Sequence, residues 1–337
     1  MSGNFYEVFE NRRKRAQLTP QEELDFFASC LEIRMFNVGE GELVLLVFPN
    51  DRAWLVDGGS STGTTINGKL ATALADYLKK RELLLEAIVL SHPHTDHGLA
   101  LQPLLKERRQ LASKVTYYHS ADAYYDDGKA WLHQLRAEID SLNPGVPAEV
   151  VLIAEHRPRD VAVHGGTAHF FAGKPISKGY TSIFLNFHFG DARLLFTGDV
   201  TCGYEIRLLK TLGEEAFRAD VLKVTHHGAS SGTANRLVCA VKPGITIAST
   251  AEEDGHRLEE DVLERLGGRP GRRKVLETYV DGDIIIKTNG LTRNGGVLYH
   301  VYRKRPGQFA KKLDAKISLL RDVVRGSTKH TNCEKGC

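Results

Sequence analysis

Apolar positions along this chain gather in short blocks that stop abruptly at polar residues. Leu83 to Leu90 reads LLLEAIVL, a nearly unbroken apolar run of buried-strand length, and Ser91 closes it. Leu194-Leu195-Phe196 and Val221-Leu222-Lys223-Val224 are two more such runs, ending at Thr197-Gly198-Asp199 and at His226-His227-Gly228. After Gly98, Leu99-Ala100-Leu101-Gln102-Pro103-Leu104-Leu105 resumes an apolar spacing compatible with a helix, so the residues between Leu90 and Gly98 form a strand-to-helix turn. Thr19-Pro20-Gln21-Glu22 combines an N-cap, a first-turn proline and a capping-box glutamate, which predicts a short helix from Pro20 to about Ser29. A further helix is expected from near Ala234. Towards the end, Phe309, Leu313, Ile317, Leu320 and Val324 recur at helical spacing with basic residues opposite, and Gly326 stands where it would end that helix. No internal repeat or long low-complexity linker interrupts the pattern.

The residues these strands deliver are chemically unusual. His92-Pro93-His94-Thr95-Asp96-His97 puts three imidazoles and a carboxylate into one short turn, a density of ligand side chains that packing alone has no reason to produce. Neutral imidazole with carboxylate suits zinc, and also manganese or iron, better than calcium. The turn is therefore expected to bind metal.

That hexapeptide is the HxHxDH signature of the metallo-β-lactamase superfamily, which the sequence resembles from about Leu31 to Tyr302. Met35-Phe36-Asn37-Val38-Gly39-Glu40-Gly41 and Trp54-Leu55-Val56-Asp57-Gly58-Gly59 resemble the opening strands, whose Asp-Gly-Gly turn lies under the metal loop. Thr197-Gly198-Asp199 is similar to the strand end whose aspartate bridges two metals, and Val221 to Gly228 to the strand that brings in a further histidine. His-His-Gly followed by Ala229-Ser230-Ser231, and the Val-Gly-x-Gly of the first strand, resemble the branch typified by the metallo-β-lactamase domain of the DNA-uptake protein ComEC, with phosphorylcholine esterase nearby. Asp281 to Gly290 looks like that branch's final hairpin. ComEC usually carries aspartate where this chain has His94. The histidine that many members place before the Thr-Gly-Asp strand is missing from Gly179 to Leu185; Tyr180 offers a phenol there, while His169 and His188 read as ordinary core or surface residues.

The resemblance implies a four-layer αββα sandwich holding two divalent transition-metal ions, zinc first, manganese or iron as alternatives. One ion falls to His92, His94 and Asp199, and the other to Asp96, His97, Asp199 and one of His226 and His227. Strand alternation sends those last two rings to opposite faces, and the likeness to phosphorylcholine esterase favours His227 as the ligand, leaving His226 for substrate. The implied reaction is hydrolysis by a hydroxide shared between the cations and oriented by Asp96. Lys223, His256 and Ser231 are candidates to hold an anionic substrate. Against this stand Lys223 as a solvent-facing lysine, His256 as a plain loop residue and Ser230 and Ser231 as helix caps. Phosphodiester bonds, in a nuclease or phosphodiesterase, are the first expectation. Amide or ester hydrolysis of a lactam or lactone is the alternative, and a non-catalytic, metal-containing interaction module the competing class.

Composition changes this picture little. The 337 residues, 42% hydrophobic, suffice for one elaborated domain. The expected division is an N-terminal helical extension over 1–30, a catalytic domain over 31–302 and a basic C-terminal helix and tail over 303–337, the helix docking on its own core, pairing two subunits or touching an acidic partner. Within the domain, 114–180 is the expected variable insert, whose Tyr117, Tyr118, Tyr124, Tyr125 and Trp131 either wall the pocket or form local core. Forty-five Lys and Arg against 42 Asp and Glu leave a net charge of only +3, too little for a global polyanion-binding field, so basicity is local. Five dispersed cysteines imply no disulfide framework. Without a basic-then-apolar leader or an apolar run of membrane-spanning length, a cytoplasmic protein with no membrane partner is expected.

Overall fold

The computed structural model describes residues 19–107, 111–119, 130–142, 151–152, 158–172, 182–252, 257–267, 275–293, 296–304 and 320–323. Helix α1 (Pro20–Ala28) forms where its signals place it: Glu22 N donates to Thr19 Oγ1 at 3.3 Å and Thr19 N to the Glu22 carboxylate at 2.7 Å, so the capping box is closed. The chain then lays down β1 (Leu31–Met35), β2 (Val44–Val47), β3 (Arg52–Val56), β4 (Leu84–Leu90), β5 (Leu111–His119) and β6 (Val151–Leu152) in one sheet. It crosses to a second sheet with β7 (Arg159–Val163), β8 (Gly166–Phe171), β9 (Phe184–Phe189), β10 (Ala192–Phe196), β11 (Val221–Lys223), β12 (Ile245–Ala248) and β13 (Val275–Glu277). Finally β14 (Asp283–Thr288), β15 (Thr292–Arg293), β16 (Gly296–Lys304) and β17 (Leu320–Val323) return to the first. Among the described residues the first sheet runs β15-β16-β14-β1-β2-β3-β4-β5-β6, with β17 on β16, and the second runs β13-β12-β11-β10-β9-β8-β7.

Side-chain alternation explains why these strands read as continuous apolar runs. Val44 and Leu46 of β2, with Trp54 and Val56 of β3, enter a core shared with Phe170, Phe187 and Leu194 of the facing sheet. Their neighbours Leu45, Val47, Ala53 and Leu55 turn the other way, onto α2 (Thr64–Lys80), α4 (Leu101–Lys106) and α5 (Ala130–Leu142), with the short helical turn α3 (Thr95–Gly98) between α2 and α4. The second sheet is covered likewise by α6 (Cys202–Leu212), α7 (Asn235–Val241) and α8 (Glu260–Arg265). Both faces of both sheets are thus apolar, and the layers are helix, sheet, sheet, helix, the expected αββα sandwich.

Two expectations are corrected and one open alternative is decided. Leu320–Val323 pairs antiparallel with β16, Val301 opposite Leu320 and Leu298 opposite Val323, so the end of the expected C-terminal helix is strand. An open sheet edge offers a row of backbone partners, and four residues suffice to take it up; Phe309, Leu313, Ile317, Val324 and Gly326 lie outside the described residues. Of the aromatics proposed to wall a pocket, Tyr117 and Tyr118 are core, Tyr118 stacking between Trp54 and Phe170; Tyr124 and Tyr125 lie outside the described residues. Cys202 and Cys239 are disulfide-bonded, although their spacing carries no pattern, and Cys30 is a buried free thiol. Among the described residues no helix is long and apolar enough to cross a membrane.

Candidate metal centre

The turn between β4 and α4 is pinned from below by backbone. Gly58 N donates to His97 O at 2.6 Å and Glu42 N to Asp96 O at 3.0 Å, while Gly59 N reaches Glu42 O at 3.0 Å. The approach is so close that a Cβ at Gly59 would stand 2.5 Å from Thr95 O and 2.8 Å from Gly98 N. The Asp-Gly-Gly turn therefore lies under the ligand turn as expected, and its glycines are what allow the contact.

Four donor atoms converge above this floor. His97 Nε2 lies 3.1 Å from His227 Nε2 and 3.1 Å from Asp199 Oδ2, and Asp96 Oδ2 is 3.4 Å from both imidazole nitrogens. His227 Nε2 is also 3.1 Å from Asp199 Oδ2. These rings have fixed tautomers. His97 Nδ1 donates to Asp57 Oδ2 at 2.8 Å, and His227 Nδ1 donates to the Ser249 carbonyl at 3.2 Å. Both Nε2 atoms therefore point at one another and at the Asp199 and Asp96 carboxylates, the disposition of ligands around a cation. Beside them His92 Nε2 faces His94 Nδ1 at 2.9 Å. Ser91 Oγ gives its proton to Asp57 Oδ2 at 2.7 Å, so it accepts from His92 Nδ1 at 3.1 Å and leaves the lone pair of His92 on Nε2, toward His94.

The electrostatics match a cation site. Burial opposes charge on His97, but the Asp199 and Asp57 carboxylates outweigh it and raise the ring well above the usual histidine range. Burial likewise opposes charge on His227, and Asp199 and Asp96 together lift its pKa to about 9. Burial would raise Asp199, yet His227, His97 and Lys223 hold its carboxyl well below the usual range. His92, buried and beside His97, is pushed well down.

A profile of the family described as the metallo-beta-lactamase superfamily matches residues 39–251, which contain every residue named in this cluster. The chain belongs to the metallo-beta-lactamase superfamily. Recombination protein 2 of Haemophilus influenzae is 25% identical over 259 residues, 75% of this chain and 28% of that protein. ComE operon protein 3 of Bacillus subtilis is 24% identical over 275 residues, 77% of this chain and 34% of that protein. The chain thus spans about a third or less of these curated relatives. Among solved structures, human tRNase Z, short form, aligns at 15% identity with a TM-score of 0.39, covering 64% of this chain and 90% of that one. The BLEG-1 B3 metallo-beta-lactamase aligns at 21% identity and 0.33, covering 50% and 71%.

The donor set fits the divalent ions that this superfamily binds. Separations of 3.1 to 3.4 Å among His97, His227, Asp199 and Asp96 match the ligand-to-ligand edge, about 3.3 Å, of a tetrahedron with bonds of about 2.0–2.1 Å. His226 and His227 are indeed separated, but not by strand alternation. Both lie in a left-handed turn, φ 52° and 53°, which aims His227 at the cluster and leaves His226 half-buried at its edge, its Nδ1 3.1 Å from Ser231 Oγ. Consecutive left-handed non-glycine residues cost about 1–2 kcal/mol each, strain of the kind held at functional sites.

Lys223 departs from both of its expected readings. It is fully buried, against Glu42 and 3.7 Å from Asp199 Oδ1, so it faces neither solvent nor a substrate rim. The reason is register: Val221 enters the inter-sheet core and Leu222 the helix side, which sends Lys223 back between the sheets. Ser230 and Ser231 do not cap α7; the Glu205 carboxylate takes Thr233 N and Ala234 N instead, at 2.8 and 2.7 Å. His169 and His188 stand together on β8 and β9, with Asp160 rather than with the cluster. His256 and Tyr180 lie outside the described residues. Sequence reasoning missed Glu42 and Ser249. A lone charge inside Gly41-Glu42-Leu43-Val44-Leu45-Leu46, and a polar residue closing the apolar β12, were the available signals.

Proposed function

We propose that this chain is a hydrolase that uses two divalent transition-metal ions, zinc foremost, to cleave phosphodiester bonds. The observation that carries the reading is the convergence of imidazole nitrogens, His97 on His227 and His92 on His94, around the carboxylates of Asp96 and Asp199. His92, His94 and Asp199 would hold one ion, and Asp96, His97, Asp199 and His227 the other. Bound there, such ions polarise an ester oxygen and lower the pKa of water toward neutrality. The protein's own part is orientation. Asp57 and the Ser249 carbonyl fix the ring tautomers, Asp96 at the partly exposed lip orients an attacking water, and His226, steadied by Ser231, meets the phosphate oxygens. Phosphodiesters are favoured over lactams because the relatives include a protein named for recombination, a process on nucleic acid, so a nucleic acid or nucleotide is the proposed substrate.

Elemental analysis of protein purified without chelators should find close to two ions per chain. A panel of bis-aryl phosphodiester, single- and double-stranded DNA, RNA and lactam substrates should then show metal-dependent phosphodiester cleavage, lost in Asp199→Ala. Protein that cannot be loaded with zinc, manganese or iron would refute the reading. Lactam turnover with every phosphodiester inert would pass it to amide hydrolysis, and inactivity on all with metal bound would favour an interaction module.

A further inference from the structure

Beneath the cluster lies a charged group that the proposed hydrolysis does not use. Lys223 projects between the sheets from β11 and ends against Glu42, which the first sheet contributes just before β2; both side chains are buried. Replacing such a pair by apolar residues is often neutral or stabilising, so global stability is a poor reason for it. Its geometry points elsewhere. The two oxygens of Asp199 face different partners: Oδ2 is 3.1 Å from both His97 Nε2 and His227 Nε2, whereas Oδ1 makes no hydrogen bond and faces Lys223 Nζ across 3.7 Å. Glu42 is itself held by backbone, its N–H on Asp96 O and its carbonyl accepting from Gly59 N, so the ammonium has a fixed anchor. A lysine beside Asp199 alone would compete with a metal ion for the carboxylate. Glu42 draws Nζ closer to itself and leaves the Asp199 charge available.

We propose that Lys223, balanced by Glu42, is a positioning residue that fixes the rotation of the Asp199 carboxylate, reserving Oδ1 for the ammonium and presenting Oδ2 to the cation held with His97 and His227. The proposal rests on the metal centre proposed above and not on the phosphodiester substrate. Turning Oδ1 into the cluster would strip Lys223 of a partner in a place water does not reach.

The double variant Lys223→Met with Glu42→Gln removes both charges together and leaves no unpaired buried ion. It should fold like the native chain by circular dichroism. Its affinity for at least one cobalt(II) ion, measured by chelator competition, should fall roughly 10- to 100-fold, and its visible cobalt spectrum should change in band position or intensity. A folded double variant with native cobalt spectrum and native chelator resistance overturns the proposal. If the variant does not fold, a crystal structure of the zinc-loaded native protein decides: Lys223 Nζ against Asp199 Oδ1 supports the proposal, and Oδ1 turned away from Lys223 overturns it. Neither readout uses turnover, so failure of the phosphodiester reading is told apart from failure here. A native protein that takes up neither cobalt nor zinc overturns both.

Discussion

Asp57 shows how much one side chain at this site controls. Its carboxylate accepts from Ser91 N and Ser91 Oγ, each at 2.7 Å, and from His97 Nδ1 at 2.8 Å, and through Ser91 it sets the tautomer of His92 as well. It is not one of the proposed ligands, yet it determines which nitrogen His92 and His97 turn toward the cluster. Asp57→Asn should lower metal affinity or activity roughly 10- to 100-fold while the protein stays folded; native zinc retention against a chelator would contradict this. The raised pKa values carry a second consequence. In metal-free protein His227 keeps a proton up to about pH 9, and His97 keeps one well above the usual histidine range. A metal must displace them, so apparent affinity should rise with pH, about tenfold per unit for each proton released, and level off only once both rings have lost their protons. Chelator competition between about pH 6.5 and 8.5 checks the sign, and a flat or falling profile would be inconsistent with proton displacement.

At the scale of elements, the ligand turn is only as well placed as the turn beneath it. The Asp57-Gly58-Gly59 segment meets α3 backbone to backbone, and a methyl at Gly59 would sit 2.7 Å from the Asp96 carbonyl carbon. Backbone cannot step aside as a flexible side chain can. Gly59→Ala should therefore cost about 1–3 kcal/mol in stability and release metal more readily than a surface control such as Gly68→Ala, where the added methyl meets nothing within 4 Å. Equal metal retention in the two variants would show that the approach of the turns is not limiting. The loop after His227 is held in the same spirit from both sides. Glu205 receives its N–H groups at Thr233 and Ala234, and Arg265 donates to its carbonyls at Ser230 and Gly232, at 3.0 and 2.8 Å.

For the molecule as a whole, the cluster stands where the two sheets meet. His92 to His97 leave the first sheet, while Asp199 and His227 leave the second, so an ion bound by both sets ties the two halves of the sandwich together at one end. An ion that binds only the folded state adds about 2.7 kcal/mol at a hundred times its dissociation constant. At about 2 °C per kcal/mol for a chain of this size, chelation should lower the melting temperature by roughly 5 °C. Scanning calorimetry of zinc-loaded and chelated protein measures it. Identical melting curves for forms shown to differ in metal content would argue against ligands shared between the sheets.

What the sequence determined by itself was local. Strand runs end where polar residues begin, and a turn of six residues cannot hold His92, His94, Asp96 and His97 without bringing them close, so the turn of candidate ligands, its preceding strand and the capped first helix were legible from spacing alone. The layered fold and Asp199 were legible through resemblance, because the same motifs recur in order. Tertiary structure decided whatever depends on facing partners across the two sheets. Lys223 has the pattern of a solvent-facing or substrate-binding lysine, and only the pairing of β11 between β10 and β12 turns it inward onto Glu42, nearly two hundred positions away in the chain. The separation of His226 from His227 required a left-handed turn that strand alternation does not foresee. The helical spacing around Leu320 yielded to an open edge on β16, since unpaired backbone groups at a sheet edge reward pairing whatever the side-chain period. Periodicity records which face a residue takes within its own element; which partner waits on that face is settled only when the elements meet.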